Sequence, residues 1–498
     1  MRIPALALSL LLAGALQARP EARAELKLHA LFGDHMVLQQ GIAAPVWGTA
    51  GPGEEITVAV LDQKKTARAG ADGRWTVKLD PLKAGGPLEL TVAGKTTVTL
   101  EDVLVGEVWV ASGQSNMQWS VKQSGNPDQE IAAADHPKLR LFHVPRVPAD
   151  QPARDVNAKW EVCSPQSVAG FSAVAYYFGR ELRKSLDVPI GLIHTSWGGT
   201  AAELWTSRRV FEGHEGLKDY VVFYQKRRET HAAQVAKLKE DSEKAKAEGK
   251  PAPKALGNFM DASCLYNGMI APLIPYGIKG AIWYQGESNA GNAAGYRTLF
   301  PAMIKNWRDD WGQGDFPFLF VQLANFMARK PEPSESNWAE LREAQTRTLS
   351  LPNTGMAVII DIGDAKDIHP KNKQDVGKRL ALWAQAKVYG KDVVPSGPLY
   401  ESMKVDGSRA RISFKHAGSG LEARGGKLAG FAVAGEDRKF VWAEASIEGD
   451  EVVVSSPAVR APVAVRYAWA DNPDCNLYNK EGLPASPFRT DDWARPKP

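Results

Sequence analysis

Short, nearly continuous apolar runs recur between residues 103 and 364 of this 498-residue chain, and each ends in a turn rich in glycine or polar residues. Such a run is typical of a strand that is buried on both faces. The runs are 103–113, 188–199, 278–288, 316–324 and 355–364. Helical patterns lie between them, for example at 174–186 and 294–311. Strands that alternate with helices predict an α/β domain with a parallel sheet over residues 101–395.

The regions on either side of this domain have a different pattern. Residues 25–100 and 396–498 show short segments of alternating polar and apolar residues, separated by glycine, proline and Asp-Gly turns. A period of two is typical of antiparallel strands, so we expect an N-terminal β-sandwich and a C-terminal β-domain. The highly charged stretch 210–256 predicts a solvent-exposed helical insertion in the α/β domain. Several domains also agree with the length of the chain, which exceeds what one core usually serves.

The first 24 residues have the character of a signal peptide. A single arginine, Arg2, precedes an apolar stretch that ends in small residues, and cleavage after Ala18 or Ala24 fits the small-x-small rule. This stretch is short for a membrane span, and no later segment reaches the necessary length. We therefore expect a secreted or periplasmic protein without a membrane span.

Composition argues against two kinds of site. The 61 basic and 57 acidic residues give a net charge of +4, which is close to neutral for this length and does not indicate nucleic-acid binding. The cysteines Cys163, Cys264 and Cys475 are widely separated and lack the spacing of metal ligands. We therefore expect no metal site, and in an oxidising compartment one disulfide could form and leave one thiol unpaired.

Four polar loops follow the predicted strands. Two contain Gly-x-Ser-Asn: the Ser loop (112–117, SGQSNM) and the Asn loop (285–289, QGESN). The others are the Gly loop (195–200, TSWGGT) and the His loop (361–370). Turn and helix-cap chemistry alone can produce such sequences. However, ligands of open parallel sheets bind at the carboxyl ends of the strands, so we expect the four loops to surround one site.

These loops contain the groups that acyl transfer needs: a nucleophile, a base with a pKa near neutral and a group that orients the base. Ser115 is the predicted nucleophile, and His369, just ahead of a helix, is the predicted base. Either Asp367 or Asp364 would orient His369. The alternative nucleophile is Ser288, in which case Ser115 would be a helix cap.

Acyl transfer also needs hydrogen-bond donors for the oxyanion that develops on the carbonyl oxygen. The predicted donors are the backbone N–H of Ser115, an N–H of Gly199 or Gly198, and the side-chain amide of Asn289. Glycine permits the backbone to approach closely, and a rigid amide directs a donor at the developing charge. Gln285 is an alternative to Asn289.

Other side chains of the same region are candidates for contact with substrate. They are Gln114, Gln285, Glu287, Trp197 and Glu203. For Gln114 and its neighbour Asn116, stabilisation of the turn is the default interpretation. For Glu287, a buried ion pair is as good an interpretation as contact with substrate. Two more residues lie near the Gly loop. His194 is interpreted as a packed strand residue, and Trp205 as either a core residue or part of the sugar pocket.

The four sequence blocks SGQSNMQW, TSWGGTAAELW, WYQGESNA and DIHPKNKQDVGKRLA together resemble the sialate O-acetylesterases, a family of the SGNH-hydrolase superfamily. The resemblance covers about residues 101–390. It implies a flavodoxin-like α/β sheet with flanking β-domains, no cofactor, and the release of acetate from an O-acetylated carbohydrate. It also implies the family roles for Ser115, Gly199, Asn289 and His369.

One position departs from the superfamily pattern, which usually has an aspartate three residues before the histidine. Lys366 stands there, whereas Asp367 lies two residues and Asp364 five residues before His369. The resemblance therefore leaves open which aspartate orients the histidine, and whether a Ser–His dyad is sufficient.

Two other functions compete with a sialate O-acetylesterase. An acetylxylan esterase uses the same chemistry and differs in the shape of its pocket, which the sequence does not reveal. A non-catalytic glycan-binding protein belongs to another class, and flanking β-domains and 15 tryptophans would also suit it.

Overall fold

The computed structural model describes residues 25–257 and 259–494. The expected signal peptide, residues 1–24, lies outside the described residues and stays a prediction. Within the described ranges, no helix is both long enough and apolar enough to cross a membrane. Across the same ranges, no group of three or more His, Cys, Asp and Glu side chains could hold a metal ion.

The N-terminal region consists of short strands. They are β1 (Lys27–Leu28), β2 (Val37–Gln39), β3 (Pro45–Thr49), β4 (Glu55–Val60), β5 (Gln63–Arg68), β6 (Arg74–Lys78) and β7 (Gly85–Ala93). Strands β1, β3 and β6 form a small antiparallel sheet, and β5, β4 and β7 are joined in that order to the long strand β8 (Thr97–Gly113). Burial alternates along β4 and β6, as a period of two requires.

β8 continues from the N-terminal region into the central sheet. The other strands of this sheet are β9 (His136–His143), β10 (Trp160–Cys163), β11 (Ile190–Ser196), β12 (Gly280–Tyr284), β13 (Phe318–Val321) and β14 (Thr354–Ala357). The order is β9-β11-β8-β12-β13-β14, all parallel, with β10 antiparallel beside β9. Apart from β9 and β10, this is the 2-1-3-4-5 order of flavodoxin-like sheets, so the expected α/β fold is confirmed.

Helices cover both faces of the central sheet. The α-helices are α1 (Ser115–Gln118), α2 (Pro127–Ala132), α3 (Pro165–Val168), α4 (Ala173–Leu186), α5 (Arg208–Gly213), α6 (Lys218–Ala247), α7 (Ala293–Trp311), α8 (Asn337–Arg347) and α9 (Lys373–Lys387). Along β8, Trp109 and Ala111 join a core with α4 and α9, whereas Val108 and Val110 join a core with α7 and α8. Alternate residues of one apolar strand therefore fill two cores, which explains its uninterrupted hydrophobicity.

The charged stretch after β11 contains the 30-residue helix α6. Its buried residues are Tyr220 and Tyr224, both in the first two turns. The rest of the helix is mostly exposed, which explains why its sequence is charged on all sides.

Strands of the C-terminal region form separate sheets around a core of their own. They are β15 (Leu399–Asp406), β16 (Arg409–Lys415), β17 (Leu421–Ala423), β18 (Phe431–Ala434), β19 (Val441–Trp442), β20 (Glu444–Glu448), β21 (Glu451–Ser455), β22 (Ala464–Tyr467), β23 (Leu477–Asn479) and β24 (Phe488–Arg489). Arg342 of α8 attaches this region to the α/β domain. Its buried guanidinium donates hydrogen bonds to the carbonyl oxygens of Leu323, Ala324, Ala470 and Asp471.

The three cysteines are free thiols, so the disulfide considered from the sequence is wrong for this structure. Cys163 belongs to the core beneath α4 and α9, and Cys264 belongs to the core on the opposite face of the sheet. Cys475 packs against the C-terminal core. Burial raises the pKa of each thiol to about 12, which makes all three unreactive near neutral pH.

Candidate active site

Three of the four polar loops leave strands that are hydrogen-bonded neighbours. Gly113, the last residue of β8, is paired with Ser196 at the end of β11 and with Tyr284 at the end of β12. A Cβ on Gly113 would lie 2.1 Å from the carbonyl oxygen of Tyr284, and its φ is +139°. Glycine is therefore required at this turn. The Ser, Gly and Asn loops consequently emerge side by side at the switch point of the sheet.

Ser115 is the first residue of α1, in the turn that follows β8. Gly198 of the Gly loop passes close to it, since a Cβ on Gly198 would lie 3.1 Å from the Cβ of Ser115. The N–H of Gly198 is donated to Oε1 of Gln118 at 2.7 Å. The N–H of Gly199 has no partner of this kind within the described part of the chain. Of the two glycine donors predicted, Gly199 is the one that stays available to a ligand.

His369 is held from two sides in the loop before α9. Its ring stacks on the ring of Trp119, with centroids 4.6 Å apart and an angle of 11° between the planes. Its Nδ1 lies 3.4 Å from Oδ1 of Asp367, which also accepts the backbone N–H of His369 at 2.9 Å. Asp364 instead accepts the backbone N–H groups of Lys366 and Asp367. The structure therefore places Asp367 beside the histidine, while Asp364 shapes the loop.

Trp119 connects His369 to the helical turn of Ser115. Its backbone N–H donates to the carbonyl oxygen of Ser115 at 2.8 Å. Within the described residues, Oγ of Ser115 makes no hydrogen bond, which is common before a substrate binds. Burial lowers the pKa of His369, and the positive charge of Lys373 lowers it further, against the opposite effect of Asp367. A histidine with a lowered pKa is neutral, and can accept a proton, at neutral pH.

Asn289 is buried in the Asn loop and has a fixed orientation. Its Oδ1 accepts hydrogen bonds from the N–H of Ala202 at 2.9 Å and from Nε2 of Gln285 at 2.6 Å. Its Nδ2 donates to Oε2 of Glu203 at 2.8 Å. Because a carboxamide nitrogen carries two hydrogens, one stays available for another acceptor. Gln285 and Glu203 are themselves buried, and their hydrogen bonds fix the orientation of the Asn289 amide.

The remaining loop residues lie around this centre. Gln114 is buried, and its Oε1 accepts the backbone N–H of Ser288, the alternative nucleophile, which is exposed. Trp197 is half-buried next to Gly198, and the guanidinium of Arg146 lies 6.0 Å from the centroid of its ring.

His194 and Trp205 both belong to the protein interior. The ring of His194 is hydrogen-bonded to Oγ of Ser196 at 2.6 Å, and burial lowers its pKa strongly. Trp205 is fully buried and donates from Nε1 to Oγ1 of Thr200. These contacts agree with the interpretation of His194 as a packed strand residue, and of the two alternatives for Trp205 they support the core position.

Comparison with known proteins gives the family. The model of a family described as "Carbohydrate esterase, sialic acid-specific acetylesterase" matches residues 105–239 and 254–385. The chain belongs to this family. The sialate O-acetylesterase of Homo sapiens is 32% identical to it, over 98% of this chain and 97% of that protein. A crystal structure of a carbohydrate acetylesterase from Xanthomonas citri is 42% identical, with a TM-score of 0.81 over 94% of this chain and 100% of that one.

Membership of the sialic acid-specific acetylesterase family confirms the resemblance that the four sequence blocks suggested. It also makes the chain an ester hydrolase of the carbohydrate O-acetylesterase class. The sialate O-acetylesterase of Mus musculus, also 32% identical, matches 91% of this chain and 92% of its own length. All four loops lie within the residues that the family model matches.

In this acetylesterase, Lys373 has contacts in the site that no motif predicted, and Asn116 is more than a turn residue. Nζ of Lys373 donates to Oδ1 of Asn116 at 2.5 Å, and Nδ2 of Asn116 donates to Oε1 of Glu287 at 2.6 Å. A signal for Lys373 exists in the sequence. Lys373, Val376 and Leu380 have helical spacing, and all three are buried on one face of α9. The sequence signal is thus a lysine on the apolar face of a helix.

Proposed function

We propose that this chain removes O-acetyl groups from sialic acids and related glycans through an acetyl-enzyme on Ser115. The observation that carries the proposal is the series of contacts from Asp367 to His369, from His369 to Trp119, and from Trp119 to Ser115. These contacts bring the carboxylate of Asp367, the imidazole of His369 and the helical turn that carries the Ser115 hydroxyl into one region, and acyl transfer requires these three groups. Because Asp367 faces Nδ1 of His369, Nε2 is the nitrogen that takes the proton of Ser115.

In the first half of the reaction, Oγ of Ser115 attacks the acetyl carbonyl carbon while its proton passes to Nε2 of His369. The carbonyl π electrons move onto the oxygen, which accepts hydrogen bonds from the backbone N–H groups of Ser115 and Gly199 and from Nδ2 of Asn289. The bond between the acetyl carbon and the sugar oxygen then breaks. The imidazolium gives its proton to that oxygen, and the sugar leaves as an alcohol.

In the second half, water hydrolyses the acetyl-enzyme. His369 takes a proton from the water as its oxygen attacks the acetyl carbon, and the same donors stabilise the second oxyanion. The bond to Oγ of Ser115 breaks, His369 returns the proton to Oγ, and acetate is released. Each proton taken by the histidine is thus given back within the same half-reaction.

An acidic sugar as substrate is supported by Arg146. Its guanidinium is exposed and lies over the ring of Trp197, beside Gly198 and Gly199. In the part of the chain that the structure describes, Arg146 has no hydrogen bond or ion pair. An arginine held on an aromatic face without a partner suits bidentate binding of a carboxylate. Sialic acid carries a carboxylate, and acetylated xylose does not.

The test is acetate release from O-acetylated sialic acid, acetylated xylo-oligosaccharide and 4-nitrophenyl acetate, with the wild type, Ser115→Ala and Ser288→Ala. Ser115→Ala is expected to lower turnover about 10⁴-fold or more on every substrate that the wild type hydrolyses, because the nucleophile is lost. Ser288→Ala is expected to keep most of the activity. Near wild-type turnover by Ser115→Ala would refute the mechanism, and a preference for the xylo-oligosaccharide would refute the substrate.

A further inference from the structure

A buried polar cluster links three loops of the site. Asn116, the residue after the proposed nucleophile, donates from Nδ2 to Oε1 of Glu287 at 2.6 Å and to the carbonyl oxygen of Ile368 at 3.0 Å. Its Oδ1 accepts a hydrogen bond from Nζ of Lys373 at 2.5 Å. Ile368 is the residue before the proposed base, and Lys373 is the first residue of α9. One amide therefore fastens the Ser loop to the Asn loop and to the His loop.

The ionisable groups of this cluster are removed from solvent. Lys373 is 0% exposed, and its Nζ lies 5.9 Å from the ring centroid of Trp119 and 5.4 Å from that of Tyr284. Glu287 is half-buried as a residue, but its Oε2 is buried and has no hydrogen-bond partner among the described residues. Burial raises the pKa of Glu287, and burial lowers the pKa of Lys373 to about 7, against the attraction of Glu287 and Asp367.

Stability alone does not account for such a cluster. Taking two charges out of water costs several kcal/mol per ion, and replacing a buried pair with apolar side chains is often neutral or stabilising. A lysine on the buried face of α9, between two catalytic loops, is better explained by what it does to those loops. Two effects follow from its place: it fixes the loops by hydrogen bonding, and it sets the charge near the imidazole.

We propose that Lys373, acting through Asn116 and Glu287, is a positioning residue that fixes His369 relative to Ser115 and keeps the imidazole in its neutral form. This inference rests on the proposed function, since it needs Ser115 and His369 to be the reacting pair.

The groups that face His369 act in opposite directions. Asp367, in the same loop, stabilises the imidazolium, and Lys373, in the first turn of α9, destabilises it. Trp119, the residue directly after α1, covers one face of the ring and removes water from it. Burial is the larger cause of the lowered pKa of His369, and the charge of Lys373 is the second. Without that charge, Asp367 raises the pKa of His369, and the base becomes protonated and inactive at a higher pH.

The experiment compares Lys373→Met, which keeps the length of the side chain and removes its charge, with Lys378→Met, which changes an exposed lysine of the same helix. Two quantities are measured against pH: the rate constant for inactivation by a fluorophosphonate, and kcat and KM for 4-nitrophenyl acetate. Lys373→Met is expected to lower kcat about 10- to 100-fold with KM nearly unchanged, because the base is misplaced. The acid limb of its pH profile, where activity falls as the base becomes protonated, is expected to lie at higher pH than in Lys378→Met and the wild type.

A second variant separates positioning from folding. Lys373→Met leaves Glu287 without its nearby positive charge, so the double variant Glu287→Gln/Lys373→Met removes both charges. We expect the midpoint of thermal unfolding to be lower in the single variant than in the wild type and to return toward the wild-type value in the double variant. The acid limb of the double variant is expected to stay at the higher pH of the single variant. A folded double variant with a wild-type acid limb and a kcat within about 2-fold of wild type overturns the proposal.

The wild type distinguishes this inference from the function on which it rests. If the wild-type protein neither hydrolyses 4-nitrophenyl acetate nor reacts with the fluorophosphonate at Ser115, the proposed function and the role of Lys373 fall together. If the wild type does both, and the two variants match it in pH profile and kcat, only the role of Lys373 is overturned.

Discussion

The indole of Trp119 and the imidazole of His369 stack with their centroids 4.6 Å apart and their planes 11° from parallel. The backbone N–H of Trp119 also donates to the carbonyl oxygen of Ser115, so the imidazole rests on the residue that caps the short helix of Ser115. His369 comes from a distant part of the sequence. The stacking contact defines the plane of the imidazole, and Asp367 lies beside its Nδ1 at 3.4 Å.

Removing the indole of Trp119 is expected to cost activity without loss of substrate affinity. Trp119→Leu lets the imidazole leave its plane, and a displacement of that kind is expected to lower kcat about 10- to 100-fold. The measurement is kcat and KM on 4-nitrophenyl acetate, with Trp442→Leu as the matched control, because Trp442 is 46% exposed in the C-terminal region. A kcat for Trp119→Leu equal to that of the control would show that stacking does not position His369.

The two aspartates of the His loop are expected to differ in their effect on activity. Asp367→Asn removes the carboxylate beside Nδ1 of His369, and we expect kcat to fall about 10²- to 10⁴-fold. Asp364→Asn keeps an oxygen that can accept the loop N–H groups, so we expect a loss of less than about 10-fold. The measurement is kcat of both variants on 4-nitrophenyl acetate. The reverse order of effects would reassign the orienting role to Asp364.

The activity of the wild type is expected to persist to a lower pH than an ordinary histidine would allow. Burial, followed by the charge of Lys373, lowers the pKa of His369 below the ordinary value of 6.5. The base is active when neutral, so kcat/KM stays high as pH falls through 6.5 and declines only at the lower pKa of His369. A pH profile of kcat/KM on 4-nitrophenyl acetate checks this. An acid limb at or above 6.5 would be inconsistent with the surroundings of His369.

Arg146 is expected to affect the acidic substrate selectively. Arg146→Gln removes a charged hydrogen-bond donor and should raise KM for O-acetylated sialic acid about 10- to 100-fold, while KM for 4-nitrophenyl acetate stays the same. Arg154→Gln, which changes another exposed arginine, is the control. Equal effects of Arg146→Gln on both substrates would remove Arg146 from recognition of the carboxylate and would leave the hydrolytic mechanism untouched.

The arrangement of loops around the site could be predicted because it follows from local patterns. The run 103–113 ends in Gly113, and the runs 188–199 and 278–288 also end in turns that contain glycine. In a parallel sheet, all strand ends that lead into such loops meet at one edge. Residues of the Ser, Gly and Asn loops could therefore be grouped before any contact was known.

Other features depend on contacts that no local pattern encodes. The change of pattern near residue 101 predicts a boundary between domains, and β8, which runs from Thr97 to Gly113, passes through that position as one strand. Asn116 connects three loops only because the fold brings Glu287 and Lys373 to its side chain. The position of Asp367 beside Nδ1 of His369 likewise depends on the path of its loop, since spacing alone left two aspartates open.

The most direct test of the central claim is the residue that a fluorophosphonate labels, found by peptide mapping of the wild type and of His369→Ala. The reagent reacts with an activated serine hydroxyl, so labelling reports the nucleophile and its base without knowledge of the natural substrate. The account predicts a label on Ser115 in the wild type and a loss of labelling in His369→Ala. A label on Ser288, or labelling of Ser115 at the same rate without His369, would contradict it.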